Sequence, residues 1–103
     1  DPLSYLEFIY LLKEAKTVIT DSGGVQEETT MLGVPCITLR KNTERPETVT
    51  TGTNEIIGDD IASLQGALKK LNEGKWKKGA IPELWDGRTS ERIVSHLSKV
   101  FNF

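Results

Sequence analysis

The fold of this chain is decided by residues 21–28, which read Asp-Ser-Gly-Gly-Val-Gln-Glu-Glu. They follow the short β-branched run Thr17–Thr20, which has the composition of a buried strand, and they lead into helix-forming residues from Val25 to Leu32. The two glycines therefore lie where a strand passes into a helix. At such a point the first N–H groups of the helix have no intrahelical acceptor, and the aligned peptide dipoles add partial positive charge. We expect a phosphate group to bind there.

Ser22, Gly23 and Gly24 are the residues that this turn offers to a phosphate. The glycines have no side chain to keep a ligand away from the backbone, and the serine hydroxyl can donate to a phosphate oxygen. A Ser-Gly-Gly turn is equally common as a plain structural turn, so the motif alone leaves both interpretations open.

Helices and strands alternate along the chain. Ser4–Glu7 has the form of a capping box, and the apolar residues after it follow helical spacing, so a helix is predicted from about Leu6 to Ala15. The same criteria predict strands at residues 17–20, 35–39 and 54–57, a helix ended by Gly33, a helix capped by Asp59 or Asp60, and a last helix from about Ser90. Residues 40–47 are predicted to form a polar loop. This alternation predicts an α/β fold with a parallel sheet of three or slightly more strands and flanking helices, which is half of a Rossmann-like domain.

The composition is that of a soluble globular domain. The chain has 103 residues, of which 37% are hydrophobic and 27% are charged, and its net charge is −2. The basic residues are spread out except for the cluster Lys75–Lys78, which we expect to be a solvated loop, so neither a nucleic acid nor a membrane surface is expected as a partner. No apolar stretch has membrane-spanning length and no signal segment is present, so a cytoplasmic location is expected. Cys36, the single cysteine, is expected to be a buried strand thiol.

Five motifs together resemble the non-hydrolysing UDP-N-acetylglucosamine 2-epimerase family. They are Tyr-Leu-x-Phe at residues 5–8, Thr-Asp-Ser-Gly-Gly-x-Gln-Glu-Glu at 20–28, Leu-Gly-x-Pro at 32–35, Leu-Arg at 39–40, and Thr-Glu-Arg-Pro-Glu-x-Val-x-x-Gly-Thr at 43–53. The chain departs from the family at residues 82–87, where Pro-Glu-Leu-Trp-Asp-Gly keeps only the final Asp-Gly of the family's Asn-Pro-Tyr-Gly-Asp-Gly loop.

The resemblance implies a position within a larger enzyme. Members of the family are several times longer and have the GT-B architecture, in which two Rossmann-like domains enclose the active site between them. Residues 1–103 match the C-terminal part of the second, UDP-binding domain. Because the chain begins at Asp1 without an initiator methionine, we expect it to be a piece of a longer protein, joined to an upstream N-terminal domain and acting in a homodimer.

The residues alone leave the roles of Glu28 and Arg45 open. Glu27 and Glu28 suit the first turns of a helix, and Arg45 lies between Glu44 and Glu47, which are suited to pair with it on the surface. The resemblance implies that Glu28 binds the ribose hydroxyls while Glu27 is structural.

The resemblance also assigns the other contacts to UDP. Arg45 offsets the diphosphate charge and stabilises departing UDP, with Arg40 as a weaker, supporting candidate. Phe8 lines the uracil pocket, and the backbone near Leu3 contacts the base. The remaining contacts are those of Ser22, Gly23 and Gly24.

The activity implied by the resemblance is the interconversion of UDP-N-acetylglucosamine and UDP-N-acetylmannosamine. It proceeds by elimination of UDP to a 2-acetamidoglucal and re-addition of UDP after protonation on the other face. The carboxylates that move the C2 proton come from the other domain, so we expect no catalytic acid or base in this segment and no activity of the segment alone. No cofactor is implied, neither a nicotinamide nor a metal.

Two other functions stay open at this point. A UDP-sugar glycosyltransferase of GT-B fold also holds UDP with a glycine-rich turn and a glutamate, although the Thr-Glu-Arg-Pro-Glu motif at residues 43–47 argues against it. The other is a non-catalytic nucleotide-binding module.

Overall fold

The computed structural model describes all 103 residues as three strands and five helices. In chain order these are α1 (Tyr5–Glu14), β1 (Val18–Thr20), α2 (Gly23–Leu32), β2 (Cys36–Thr38), α3 (Pro46–Thr50), β3 (Asn54–Ile56), α4 (Ile61–Asn72) and α5 (Thr89–Phe101). None of these helices is long and apolar enough to cross a membrane.

The three strands form one parallel sheet in the order β1-β2-β3. Thr20 lies opposite Thr38, and Thr38 lies opposite Ile56, so the carboxyl ends of all three strands meet at one edge. The loops that follow β1 and β2 begin at this edge, which is where open α/β sheets bind ligands. The expected three-stranded parallel sheet with flanking helices is confirmed.

Local signals in the sequence account for the first two helices. Ser4 and Glu7 form the predicted capping box, because the Ser4 side chain accepts from the Glu7 N–H while the Glu7 carboxylate accepts from the Ser4 N–H, each at 3.3 Å. Gly33 ends α2 with a φ of 72°, a left-handed conformation that costs glycine nothing.

The segment after β2 differs from the prediction. Residues 40–47 were expected to be loop throughout, but α3 begins at Pro46. A proline fits the first position of a helix because its fixed φ suits the helix and its missing N–H would have had no acceptor there. The strands are also shorter than predicted, with three residues each.

Residues 75–80 pack across the start of β3 instead of forming a solvated loop. The Trp76 indole donates to the Thr53 carbonyl at 2.8 Å, the Lys77 ammonium donates to the Val49 carbonyl at 2.7 Å, and the Ala80 N–H donates to Thr51 at 2.7 Å. The expectation for the basic cluster at 75–78 was therefore wrong at Trp76 and Lys77, which are half-buried. The same segment comes so close to residue 52 that no side chain fits at Gly79.

The hydrophobic core is small. Only five apolar residues are buried: Leu12, Val34, Cys36, Ile37 and Ala67. Burial raises the pKa of the Cys36 thiol, as expected for a strand cysteine. Helix α5 buries none of its residues although apolar side chains repeat along it.

The surface is large for the mass of the chain. It amounts to 7193 Å², whereas a compact monomer of 11.5 kDa exposes about 5,800 Å². The radius of gyration is 16.4 Å, against about 13 Å for a compact domain of this length.

Candidate nucleotide-diphosphate site

The turn before α2 has the geometry expected of an anion-binding helix N-terminus. Ser22 caps the helix, because its Oγ accepts from the Val25 N–H at 3.4 Å, and its own N–H donates to the Thr20 Oγ at 3.1 Å. The hydroxyl proton of Ser22 has no acceptor within the chain. The N–H groups of Gly23 and Gly24 open the helix and also have no acceptor within the chain. Three donors are therefore available at one point.

A carboxylate already lies beside this turn. A Cβ placed on Gly23 would come within 2.8 Å of the Glu44 Oε1, so only glycine fits there without moving Glu44. The Glu44 carboxylate in turn accepts from the Arg40 guanidinium at 2.9 Å, and that ion pair holds the pKa of Glu44 below its ordinary value. The partial positive charge at the helix N-terminus thus has an anionic neighbour from the loop after β2.

Arg45 lies at the other side of the same loop, one residue before α3. Its Nε donates to the Glu27 carboxylate, and Nη1 makes a long contact of 3.4 Å with the Glu44 carbonyl. The Nη2 group has no partner within the chain, and the side chain is about 39% exposed, so one edge of the guanidinium remains available. The bond to Glu27 raises the pKa of Arg45 above its ordinary value, so the guanidinium stays positively charged.

Glu28 lies on α2 one residue beyond the partner of Arg45. One of its carboxylate oxygens accepts a hydrogen bond of 2.9 Å from the Tyr5 hydroxyl on α1, and no contact within the chain engages the other. The Tyr5 hydroxyl thus orients the carboxylate through one oxygen, and the other oxygen can still accept hydrogen bonds from hydroxyl groups.

Leu3 and Phe8 lie on the α1 side of the site but do not share a pocket. Phe8 is 39% exposed. The Leu3 side chain lines a groove of about 410 Å³ along α1 with Leu6, Glu7, Tyr10 and Leu11. None of the residues at the Ser-Gly-Gly turn lines this groove. The site is therefore defined by the N–H and hydroxyl donors of the turn and by the Glu28 carboxylate, not by a pocket in the surface.

Beneath the site lies a buried cluster of polar side chains. Gln26, Thr38, Thr48 and Asn54 are all fully buried, and hydrogen bonds of 2.6–3.0 Å connect Asn54 to the other three. No three His, Cys, Asp or Glu side chains lie close enough together to hold a metal ion.

The structure brings the two predicted motifs together at the carboxyl edge of the sheet. Glu44 lies beside Gly23, Arg45 pairs with Glu27, and Thr43 donates to Gln26 at 2.6 Å. The sequence indicated a structural role for Glu27 without identifying Arg45 as its partner, and no prediction was made for Gln26. Gln26 had a readable signal, because the inner face of α2 carries the polar residues Gln26, Thr29 and Thr30 where a helix against a sheet ordinarily carries apolar ones.

Comparison with known proteins gives these features a context. Residues 1–98 match the family model described as UDP-N-acetylglucosamine 2-epimerase. The UDP-N-acetylglucosamine 2-epimerase of Methanocaldococcus jannaschii is 49% identical over 100 residues, which cover 95% of this chain and 26% of that protein. The chain therefore spans about a quarter of the length of the relatives it matches.

Solved structures agree with the sequence match. The M. jannaschii enzyme in complex with UDP-GlcNAc and UDP gives a TM-score of 0.77 at 48% identity, covering 96% of this chain and 27% of that one. The Neisseria meningitidis UDP-GlcNAc 2-epimerase bound to UDP-GlcNAc gives a TM-score of 0.83 at 34% identity, covering 96% and 28%. These enzymes have the GT-B fold, which confirms the expected fold class. The motifs, the sheet and these matches agree, and the chain belongs to the UDP-N-acetylglucosamine 2-epimerase family.

Proposed function

We propose that this chain is the UDP-binding part of an enzyme that interconverts UDP-N-acetylglucosamine and UDP-N-acetylmannosamine. The observation that carries the proposal is the meeting of two elements at one sheet edge: the N–H donors of Gly23 and Gly24, and the guanidinium of Arg45, whose neighbour Glu44 lies beside Gly23. Backbone donors on one loop and a guanidinium on the neighbouring loop of the same sheet edge suit a diphosphate better than a single phosphate, because each can bind a different phosphate.

Each site residue has a distinct role in the proposal. The Ser22 hydroxyl and the N–H groups of Gly23 and Gly24 bind one phosphate, and the free edge of Arg45 binds the diphosphate from the other side. Glu28 accepts the ribose hydroxyls. Phe8 and the backbone near Leu3 contact the uracil, and Arg40 supports the loop through its pair with Glu44.

Catalysis by this segment is electrostatic. When the bond between C1 and the diphosphate oxygen breaks, negative charge grows on UDP, and fixed donors and a guanidinium stabilise that charge more in the transition state than in the ground state. The groups that move the C2 proton come from outside this chain. Elimination followed by re-addition after protonation on the opposite face then inverts C2 without any net change in charge or bonding elsewhere in the substrate.

The excess surface of the chain fits a place inside a larger protein, which we call the parent enzyme. Eighteen large apolar side chains are exposed, and five of them belong to helix α5, namely Ile93, Val94, Leu97, Val100 and Phe101. We propose that residues 1–103 form the C-terminal part of the UDP-binding domain and that the rest of the parent enzyme covers these surfaces, since monomeric proteins rarely expose large contiguous apolar patches. A homodimeric parent enzyme stays a prediction, which light scattering tests.

The experiment uses a chimera in which this chain replaces the matching segment of the M. jannaschii relative, with which it shares 49% identity. Incubated with UDP-N-acetylglucosamine, the chimera should produce UDP-N-acetylmannosamine, observed by proton NMR of the sugar anomeric signals. The 103-residue chain alone should produce none. Turnover by the chain alone would contradict the proposal that the groups that move the C2 proton lie outside this chain.

Product analysis separates the competing functions. A glycosyltransferase would release UDP stoichiometrically with transfer of the sugar to an acceptor and would not convert one UDP-sugar into the other. A non-catalytic nucleotide-binding module would bind UDP in calorimetry while its chimera stayed inactive.

A further inference from the structure

A network of hydrogen bonds leads from the buried Asn54 to the half-buried backbone of Arg45. Asn54, the first residue of β3, is fully buried, and both protons of its amide nitrogen are used. One goes to the Gln26 Oε1 and the other to the Thr48 Oγ1, each at 3.0 Å. The Asn54 Oδ1 accepts from the Thr38 hydroxyl at 2.6 Å, so every polar atom of this side chain has a partner.

Two arms lead from Asn54 to Arg45. In the first arm, the Gln26 Oε1 also accepts from the Thr43 hydroxyl at 2.6 Å, and the Thr43 Oγ1 accepts from the Arg45 N–H at 2.9 Å. In the second, the Thr48 hydroxyl donates to the Arg45 carbonyl at 2.7 Å.

The arms have consistent donor and acceptor directions. Both threonine hydroxyls accept one bond and donate another, and the Gln26 Oε1 accepts two. The same asparagine is therefore linked, through Gln26 and the two threonines, to both the N–H and the C=O of Arg45, whose guanidinium we place on the diphosphate. The bonds join β2, α2, α3 and β3 to the loop after β2.

We infer that Asn54, acting through Thr43 and Thr48, is a positioning residue that fixes the backbone of Arg45 so that its guanidinium is aimed before substrate binds. The inference rests on the proposed function, because it gives the network its purpose at the diphosphate. Hydrogen bonds between buried polar groups are costly to leave unmade, so the bonds of Asn54, in which every polar atom of its side chain is paired, favour one geometry, although the buried Gln26 Nε2 has no partner. Preorganised charge of this kind needs no rearrangement when the transition state forms.

The test cuts each arm in the parent enzyme with Thr43→Val and Thr48→Val, which keep shape and remove the hydroxyl. Each should lower kcat about threefold to tenfold, since each removes the hydrogen bonds of one arm. Thr43→Ser and Thr48→Ser should restore most of the loss. Thr51→Val is the matched control, because Thr51 is exposed beside α3 and its side chain makes no hydrogen bond within the chain.

An Arg45→Ala background separates positioning from a structural role. If the threonines act through Arg45, Thr43→Val and Thr48→Val should change kcat less than twofold in that background, because the group they position is gone. An equal loss with and without Arg45 would overturn the inference, and so would unchanged kcat in both valine variants.

UDP affinity provides a second measurement of the same double-mutant cycle. If the parent enzyme does not epimerise its substrate, the proposed function fails, and calorimetry with UDP still tests the network. Thr43→Val should then weaken UDP binding in the wild-type background and leave it unchanged in the Arg45→Ala background. Equal weakening in both would contradict the inference by itself.

Discussion

The Tyr5 hydroxyl on α1 donates a hydrogen bond of 2.9 Å to the Glu28 carboxylate on α2. The two residues lie 23 positions apart, and the bond ties the first helix to the proposed ribose site. The same bond raises the pKa of the Tyr5 phenol, because the phenol proton is held by the carboxylate. Tyr5 thus orients the group that we expect to bind ribose.

Removal of this hydroxyl should weaken nucleotide binding. In the parent enzyme, Tyr5→Phe should raise the Kd for UDP about threefold to tenfold, because the Glu28 carboxylate loses its fixed orientation. Calorimetry measures the change. Tyr10→Phe is the control, since Tyr10 is exposed on α1 and its hydroxyl makes no hydrogen bond within the chain. An effect of Tyr5→Phe that persists in a Glu28→Ala background would show that Tyr5 acts independently of Glu28.

Loss of the Glu28 carboxylate should have a larger effect. Glu28→Ala should weaken UDP binding by roughly 10- to 100-fold, because charge-assisted hydrogen bonds to the ribose hydroxyls are lost. Glu14→Ala, at an exposed position at the end of α1, should leave the affinity unchanged. If both variants bind UDP like the wild type, Glu28 serves only the helix. A 2′,3′-dideoxy analogue of UDP should bind the Glu28→Ala variant and the wild type alike.

Arg45 should affect the chemical step more than binding. Arg45→Ala should lower kcat about tenfold or more, because the guanidinium meets charge that grows as UDP departs. Arg45→Lys should recover only part of the loss. Arg45 can bond Glu27 through Nε and still present a planar edge to the diphosphate, whereas the single ammonium of lysine cannot do both. Steady-state kinetics distinguishes the alternatives: a raised KM with unchanged kcat would make Arg45 a uniform binding contact.

Two glycines should respond oppositely to alanine. A Cβ on Gly79 would lie 2.3 Å from the Gly52 carbonyl carbon, and backbone atoms cannot yield as side chains do, so Gly79→Ala should lower the Tm of the parent enzyme by several degrees. A Cβ on Gly66, within α4, meets nothing within 4 Å. Gly66→Ala should therefore raise the Tm by about 1–2 °C, because alanine favours the helix by about 1 kcal/mol and the parent enzyme is large. Calorimetric scans measure both, and a stabilising Gly79→Ala would show that residues 75–80 do not pack on β3.

The cap of α4 should make stability depend on pH. The Asp60 carboxylate accepts from the Ser63 hydroxyl at 2.9 Å and from the Ala62 and Ser63 N–H groups at 3.3 Å, which lowers its pKa below the ordinary 3.8. A lowered pKa stabilises the folded state above the unfolded pKa, and the contribution is lost as the pH falls through the folded one. In the parent enzyme, Asp60→Ala should lower the Tm by about 1–2 °C at pH 7 and by progressively less below about pH 4. The Asp59 side chain makes no hydrogen bond within the chain, so Asp59→Ala is the control and should change the Tm little at either pH. If the Tm difference between Asp60→Ala and the wild type does not shrink as the pH falls, the capping role is contradicted.

Local features of the site could be predicted from the sequence, whereas its distant contacts could not. The turn at Ser22 and the end of α2 at Gly33 depend on neighbours within a few residues, so they can be read directly. Helix α3 was missed because Pro46 suggests a break in the chain, although proline is favoured at a first helical position. The pairing of Arg45 with Glu27 spans 18 residues, and only the parallel register of β1 and β2 brings them together.

The position of Asn54 at the start of β3 has a consequence for the order of folding. The capped turn before α2 closes with a bond between residues three apart, whereas the bond from Asn54 to Gln26 spans 28 residues. Non-local contacts form later than local ones because a longer loop must first close. During synthesis, a nascent chain that ends before β3 can therefore form the capped turn before α2 and the bonds from Thr43 and Thr48 to the Arg45 backbone. It still lacks the Asn54 amide that joins Gln26 to Thr48, so the proposed site is completed only when β3 is added.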